Sequence, residues 1–221
     1  MIDLHMHTFF SDGVLIPSEL VRRAQVKGYR AMAITDHVDA SNVDYLVPRL
    51  AHICRNLTEH LRGMVVLPGV EITYVPLSDL DAVVKAARAG GAQIVVVHGE
   101  TLAEPGVPGT NKKAVQLDID ILAHPGLITP ADAKVAARRG VALEISAKRG
   151  HSLSNGHVAR VAMDAGASLV FNSDTHQPED LITDEQRQNI LLGAGLKQSE
   201  LNKIYANSVR LVERASGKKV R

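Results

Sequence analysis

The sequence predicts an α/β fold: a parallel sheet with helices packed outside it, in one domain. Three observations lead there. Seven short runs rich in Val, Ile, Leu or Ala recur along the 221 residues, as expected for strands buried on both faces. Amphipathic stretches alternate with them, which argues for parallel pairing with helical crossovers. Glycines stand where those stretches should stop.

In order, the first strand is expected at residues 2–5. A helix over 17–27 follows, with Leu20, Val21 and Ala24 at helical spacing, Pro17 at its start and Gly28 at its end. A strand at 31–35 leads to a helix at 43–61, and a strand at 65–71 to a helix at 77–89 that Gly90 and Gly91 stop. The next strand, 93–98, is followed by a long loop and a weaker helix at 111–117. Strands at 119–124, 141–146 and 168–172 are separated by helices at 130–139 and 154–165, stopped by Gly140 and Gly166. Helices at 183–192 and 199–213 and a short basic tail, 216–221, complete the chain; the tail is expected to fray. No linker or low-complexity tract divides residues 1–221, so a single domain is expected. Periodicity leaves a closed barrel and an open doubly wound sheet as alternatives.

Composition narrows the function classes. Apolar residues make up 45%, enough for a core without disulfides. Cys54 is the only cysteine, so no intramolecular disulfide forms. Asp3 and His5 interrupt the first apolar stretch, so no signal peptide is expected. No run approaches the ~18 apolar residues of a membrane span. A soluble cytoplasmic protein is the expectation. A net charge of +1, three Phe, four Tyr and no Trp argue against a track for long nucleic acid.

The informative excess is histidine, ten residues in all. His5 ends the first strand and His7 lies two residues on, on the same side of an extended chain. Asp12 is in the loop after them. His37, Glu71, His98 and His124 fall at the ends of the next four strands, and Asp174 and His176 follow the seventh. In a parallel barrel those strand ends share one rim, where such folds place their sites. Burying six histidines and three carboxylates there is costly without compensating charge, and metal ions supply it. Imidazole and carboxylate without thiolate suit Zn, Mn or Fe. The set exceeds what one ion needs; with bridging carboxylates it holds two or three. His52, His60 and His157 fall on predicted helices and read as solvated.

These residues carry a resemblance. His5-Met6-His7-Thr8, Ser11-Asp12-Gly13, Thr35-Asp36-His37, Gly69-Val70-Glu71, His98, His124-Pro125 and Asp174-Thr175-His176 resemble, in this order, the PHP family, named for polymerase and histidinol phosphatase. The resemblance implies a distorted (β/α)7 barrel and three divalent metal ions. It implies that His5, His7, Glu71 and Asp174 hold the first, that Glu71 bridges to a second completed by His98 and His124, and that Asp12, His37 and His176 hold the third. It further implies a metal-dependent phosphoesterase. Closely spaced cations lower the pKa of a shared water toward neutrality and offset charge on the phosphate oxygens.

Other rim residues are candidates. Lys148 and Arg149 are placed to clamp phosphate oxygens, and His151 to protonate the leaving alkoxide. Glu144 ends the sixth strand and is placed to orient a ligand histidine. Asp36 is turned away from the cluster by alternation, toward a supporting contact. The long loop 99–111 is placed to cover the mouth. Cys54, in a helix, reads as packing. The leading expectation is a phosphomonoesterase acting on a small phosphorylated metabolite, histidinol-phosphatase-like. A phosphodiesterase or exonuclease on short oligonucleotides or cyclic phosphates is the alternative. A protein-tyrosine phosphatase and a non-catalytic scaffold come after it.

Overall fold

Eight parallel strands and eight helices follow one another in the structure, a computed structural model that describes residues 1–220. They are β1 (Ile2–Asp3), α1 (Pro17–Val26), β2 (Ala31–Ile34), β3 (His37–Val38), α2 (Val43–His60) and β4 (Val65–Ile72). Then come α3 (Leu80–Gly90), β5 (Ile94–His98), α4 (Thr110–Ala114), β6 (Ile121–Ala123), α5 (Pro130–Arg139) and β7 (Ala142–Ser146). The last are α6 (Asn155–Ala165), β8 (Leu169–Asn172), α7 (Asp184–Gly193) and α8 (Gln198–Ser216). Arg221, the end of the expected tail, lies outside the described residues.

Strand neighbours run β1-β2-β4-β5-β6-β7-β8, with the two-residue β3 continuing the edge of β4 beyond β2. Seven of the strands are those the sequence predicts, and the sheet nearly closes into a barrel. The seam lies between β8 and β1, where one bridge joins Met6 to Thr175. Side chains replace the missing ladder. Leu4 N–H donates to Asn172 Oδ1 at 2.8 Å, and Ser173 N–H donates to Asp3 Oδ2 at 2.9 Å. A buried backbone amide needs such a partner, which explains why Asp3 and Asn172 are fully buried polar residues.

Alternation along the strands divides the core in two. Val95 and Val97 of β5 face the outer helices, whereas Ile94 and Val96 face the barrel interior with Leu4, Ala33, Leu67, Ile121 and Val170. Burying each large aliphatic side chain contributes about 1.5–3 kcal/mol. Leu211 and Val212 of α8 belong to the interior group. The same helix reaches Asp120, just before β6, through Arg214. So α8 stoppers the end of the barrel where the strands begin, and the other end is left for the site. Among the described residues no helix is long and apolar enough to cross a membrane.

Candidate metal centre

All nine residues expected as ligands meet at the end of the barrel where the strands finish. Glu71, at the end of β4, is their centre. Its Oε2 lies 3.2 Å from His5 Nε2, 3.4 Å from His7 Nε2 and 3.0 Å from His37 Nδ1. Its Oε1 lies 3.3 Å from His124 Nε2. Asp174 Oδ1 lies 3.3 Å from His7 Nε2 and 3.8 Å from His5 Nε2. Asp12 reaches His37 Nε2 at 3.4 Å and His176 Nε2 at 3.1 Å. Five groups have donor atoms close enough for one ion: His5, His7 and Glu71; Glu71, His98 and His124; Asp12, His37 and His176 together with His7; His5, His124 and Glu144; and His124, His151 and Asp174.

Local structure explains how each side chain gets there. The loop carrying Asp12 is anchored on Asp36, whose carboxylate accepts Thr8 N–H, Thr8 Oγ1–H and Ser11 Oγ–H, each at 2.7 Å. Gly13 closes the same loop by donating its N–H to Thr8 O at 2.9 Å. A Cβ at position 13 would stand 2.6 Å from the His7 carbonyl carbon, so only glycine fits. Glu144 is fully buried and accepts from His5 Nδ1 at 2.8 Å and from Asn172 Nδ2 at 2.8 Å. His98 Nδ1 donates to Gly99 O at 3.0 Å, and His176 Nδ1 lies 2.9 Å from Lys148 Nζ and 3.0 Å from Asp174 O. The bond to Glu144 leaves His5 Nε2 aimed at the cluster, while His98 Nε2 meets Glu104 Oε2 at 3.0 Å and His176 Nε2 meets Asp12 Oδ2 at 3.1 Å.

Several buried polar atoms of the cluster lack partners. His5 Nε2, both nitrogens of His7, His124 Nδ1 and Glu71 Oε1 are buried with no hydrogen-bond partner. Native interiors rarely leave such atoms unmet, and here acceptor faces acceptor at 3–4 Å, a geometry that a cation resolves. The titration of the cluster says the same. Burial would depress the His5 imidazole, but Glu71, Glu144 and Asp174 outweigh it and hold its pKa well above the ordinary value. His37, opposed by burial but drawn by Glu71 and Asp12, is pushed up to about 10. Burial would raise Glu71, yet His5 and His37 hold it well below the carboxylate range. The carboxylates pull protons onto the imidazoles where ions would supply the charge. The donor set therefore fits divalent metals.

Strain concentrates here too. His124 and Asp174 have φ of 26° and 55°, and the third non-glycine residue at positive φ, Tyr74 at 53°, lines the same cavity. Such conformations persist where surroundings over-determine them.

The mouth is a cavity of about 520 Å3, lined by every member of the cluster but His5 and His7, together with Tyr74, Glu104, Lys148, His151 and Asp180. Lys148 Nζ donates to Asp174 O at 3.2 Å and Asp180 Oδ2 at 3.3 Å. Arg149, expected beside it, is exposed and outside the cavity wall. His151 is buried, stacks on His124 with ring centroids 4.0 Å apart, and bonds Thr101 Oγ1 through Nδ1 at 2.7 Å. Burial and the neighbouring His124 push it down to about 4, so it is neutral at pH 7. His157 is half-buried and its Nε2 donates to Ile128 O at 2.8 Å, so it ties α6 to the loop between β6 and α5 rather than standing solvated as expected. Tyr74 and the inward reach of Glu104 escaped sequence reasoning. Neither ends a predicted strand, and only the folded loop shows where they point.

Known proteins share this arrangement. A probable phosphatase of Proteus mirabilis is 26% identical over 99% of this chain and 96% of its own. An uncharacterized protein of Methanocaldococcus jannaschii is 46% identical over 90% of this chain and 92% of its own. A histidinol phosphate phosphatase of Lactococcus lactis, solved with zinc, L-histidinol and phosphate, superposes with a TM-score of 0.64 at 16% identity, covering 89% of this chain and 94% of that one. A chain of an archaeal ribonuclease P, solved with mature tRNA, gives 0.74 at 18% identity over 98% and 92%. At such identities the two solved structures speak for the fold. The PHP domain model matches residues 3–191, and the chain belongs to that family of metal-dependent phosphoesterases, hydrolases of phosphoric ester bonds.

Proposed function

We propose that this chain is a phosphomonoesterase of a small phosphorylated metabolite, working in the cytoplasm at a site of three divalent ions, with Zn, Mn and Fe all suited to its donors. The observation that carries it is the pair of buried, partnerless Nε2 atoms on His5 and His7, facing Glu71 and Asp174. His5, His7, Glu71 and Asp174 would hold one ion. Glu71, His98 and His124 would hold the second, and Asp12, His37 and His176 the third. Bound there, the ions supply a hydroxide nucleophile near neutral pH and offset charge on the phosphate oxygens.

The chain's own residues do the rest. Glu144 fixes the His5 ring, and Asp36 fixes the loop that presents Asp12. Lys148 carries a cation at the cavity wall, its three N–H groups directed at Asp174 O, His176 Nδ1 and Asp180 Oδ2, so a non-bridging phosphate oxygen would take the place of one of these partners. Arg149, exposed and outside the cavity wall, is given no part in clamping the phosphate, and His151 is too readily neutral to deliver a proton, so solvent at the open mouth protonates the departing alkoxide. A cavity of about 520 Å3 is in the range of small-molecule sites, which favours a metabolite over a polymer.

One observation favours the diester reading. Phe9 is 53% exposed and stacks on Phe10 with ring centroids 4.6 Å apart, on the loop between His7 and Asp12. An exposed aromatic platform beside the ligands suits a base of a short oligonucleotide. Release of phosphate or nitrophenol from a panel of monoesters and diesters separates the two. The protein is stripped of metal and resupplied with Mn or Zn. Turnover of monoesters supports the proposal; a preference for diesters replaces it.

A further inference from the structure

We infer that His151 is a tenth metal ligand, which with Asp174 adds donors to the ion proposed at Glu71, His98 and His124. His124, His151 and Asp174 are all buried, and their donor atoms lie close enough together to share one ion. His124 is common to this group and to the group of Glu71 and His98, so the two converge on the same ion. The spacing is that of a metal shell. His151 Nε2 lies 3.5 Å from Asp174 Oδ2, and His124 Nε2 lies 3.9 Å from the same oxygen. Donors held at about 2.0–2.2 Å on a tetrahedral ion stand roughly 3.3–3.6 Å from one another. A good hydrogen bond between nitrogen and oxygen would be shorter, about 2.7–3.2 Å.

The topology leaves a place for this ligand. Six of the seven strands on the barrel's path end in, or lead into, members of the nine-residue set; β7 leads into none. His151 opens the short turn His151–Ser154 between β7 and α6, and so fills that gap in the rim. The turn is fixed at both ends. Asn155 Oδ1 accepts Ser146 N–H at 3.1 Å, and its Nδ2 donates to Ser146 O at 2.8 Å. Gly150, at a φ of 93°, lies against the loop 99–109, where a Cβ would stand 2.9 Å from Ala103 Cβ. From that loop Thr101 Oγ1 bonds His151 Nδ1 at 2.7 Å. The ring stacks on His124 with 20° between the planes. One ring nitrogen is thus held by a partner while the other is turned toward the cluster, the relationship that Glu144 imposes on His5.

The inference rests on the three-ion reading but not on the identity of the substrate, and metal binding tests it apart from turnover. Nitrogen NMR of histidine-labelled protein, with and without Zn(II), reads which rings bind metal in the unsubstituted chain. His151 is expected to shift on loading together with the six histidines of the cluster, while His52, His60 and His157 stay in place. An unshifted His151 beside six shifted rings overturns this ligand alone. No shifted ring overturns it together with the three-ion reading. Dialysis against Co(II), with the visible band, then compares the unsubstituted chain with His151→Gln and His151→Phe. The latter keeps a ring to stack on His124 and removes the donor. Both are expected to weaken one ion by roughly tenfold or more, the scale on which metal affinity responds to losing even a supporting partner, and to change the band. Unsubstituted affinity and spectrum in His151→Phe would show that the ring acts by stacking alone, and would overturn the inference.

Discussion

His5 and Glu144, both fully buried, are joined by a 2.8 Å hydrogen bond from Nδ1 to Oε2. The bond turns the opposite nitrogen of His5 toward Glu71. Glu144→Gln keeps the shape but removes the charge that orients and enriches the imidazole. Metal affinity is expected to fall by about 10–100-fold with an unchanged circular dichroism spectrum. Equilibrium dialysis against Zn or Mn checks this, and unchanged affinity would refute the supporting role.

Asp36→Ala should release the loop of residues 8–13 and, with it, Asp12. Thr8 N–H, buried and now unpaired, would cost about 1–3 kcal/mol in urea denaturation. The ion proposed at Asp12, His37 and His176 should also be lost while the two proposed deeper in the cluster are kept. Retention of all bound metal in this variant would show that Asp12 finds its place without the anchor.

Two glycines provide a matched comparison. Gly13→Ala meets the His7 backbone at 2.6 Å, whereas Gly140→Ala meets nothing within 4 Å but sits at a φ of 73°. The second is expected to cost about 1–2 kcal/mol for the left-handed backbone alone. The first should cost at least as much and also lower metal content, because what must move is the backbone of a ligand. Equal metal retention in both would place Gly13 outside the site's support.

How much of this was legible beforehand differs by residue. The nine candidate positions could be picked out because all but Asp12 fall at or just after the end of an apolar run, and in a parallel sheet all those ends meet. The first strand was read as continuing to His5, but its ladder stops at Asp3. Beyond it Asn172 and Asp3 side chains take over the backbone amides, a substitution that periodicity cannot register. Asp36 was readable as turned from the cluster, though not that it holds Thr8 and Ser11. Glu104 had no periodic context at all: its direction depends on Tyr74, thirty residues earlier in the chain.

Chelation should lower thermal stability. The apo cluster crowds His7, His37 and His176 with ring centroids 4.2–6.0 Å apart, and ions bind the folded state alone. At a hundredfold excess over Kd, each ion adds about 2.7 kcal/mol, a shift on the order of 5–10 °C for a chain of this size. Melting with and without a chelator measures it. His5→Ala combined with His7→Ala should keep the barrel folded, abolish most turnover and remove most of that metal-dependent shift.

Asp120→Ala supplies the opposite case. Asp120 takes Val95 N–H at 2.7 Å and pairs with Arg88 and Arg214 at the end of the barrel away from the metals. Its loss is expected to cost about 3 kcal/mol in chemical denaturation, with kcat and metal content unchanged. A fall in kcat at full metal occupancy would mean that the two ends of the barrel communicate.

The stopper formed by Leu211 and Val212 makes the barrel a cul-de-sac. Anything that reaches the metals comes in, and its fragments go out, by one doorway. Traffic through a single opening has an order: the fragment nearest the threshold departs first and the one deepest in departs last. For an ester whose phosphoryl end is drawn down to the ions, the alcohol leaves first and phosphate holds the exit until it goes.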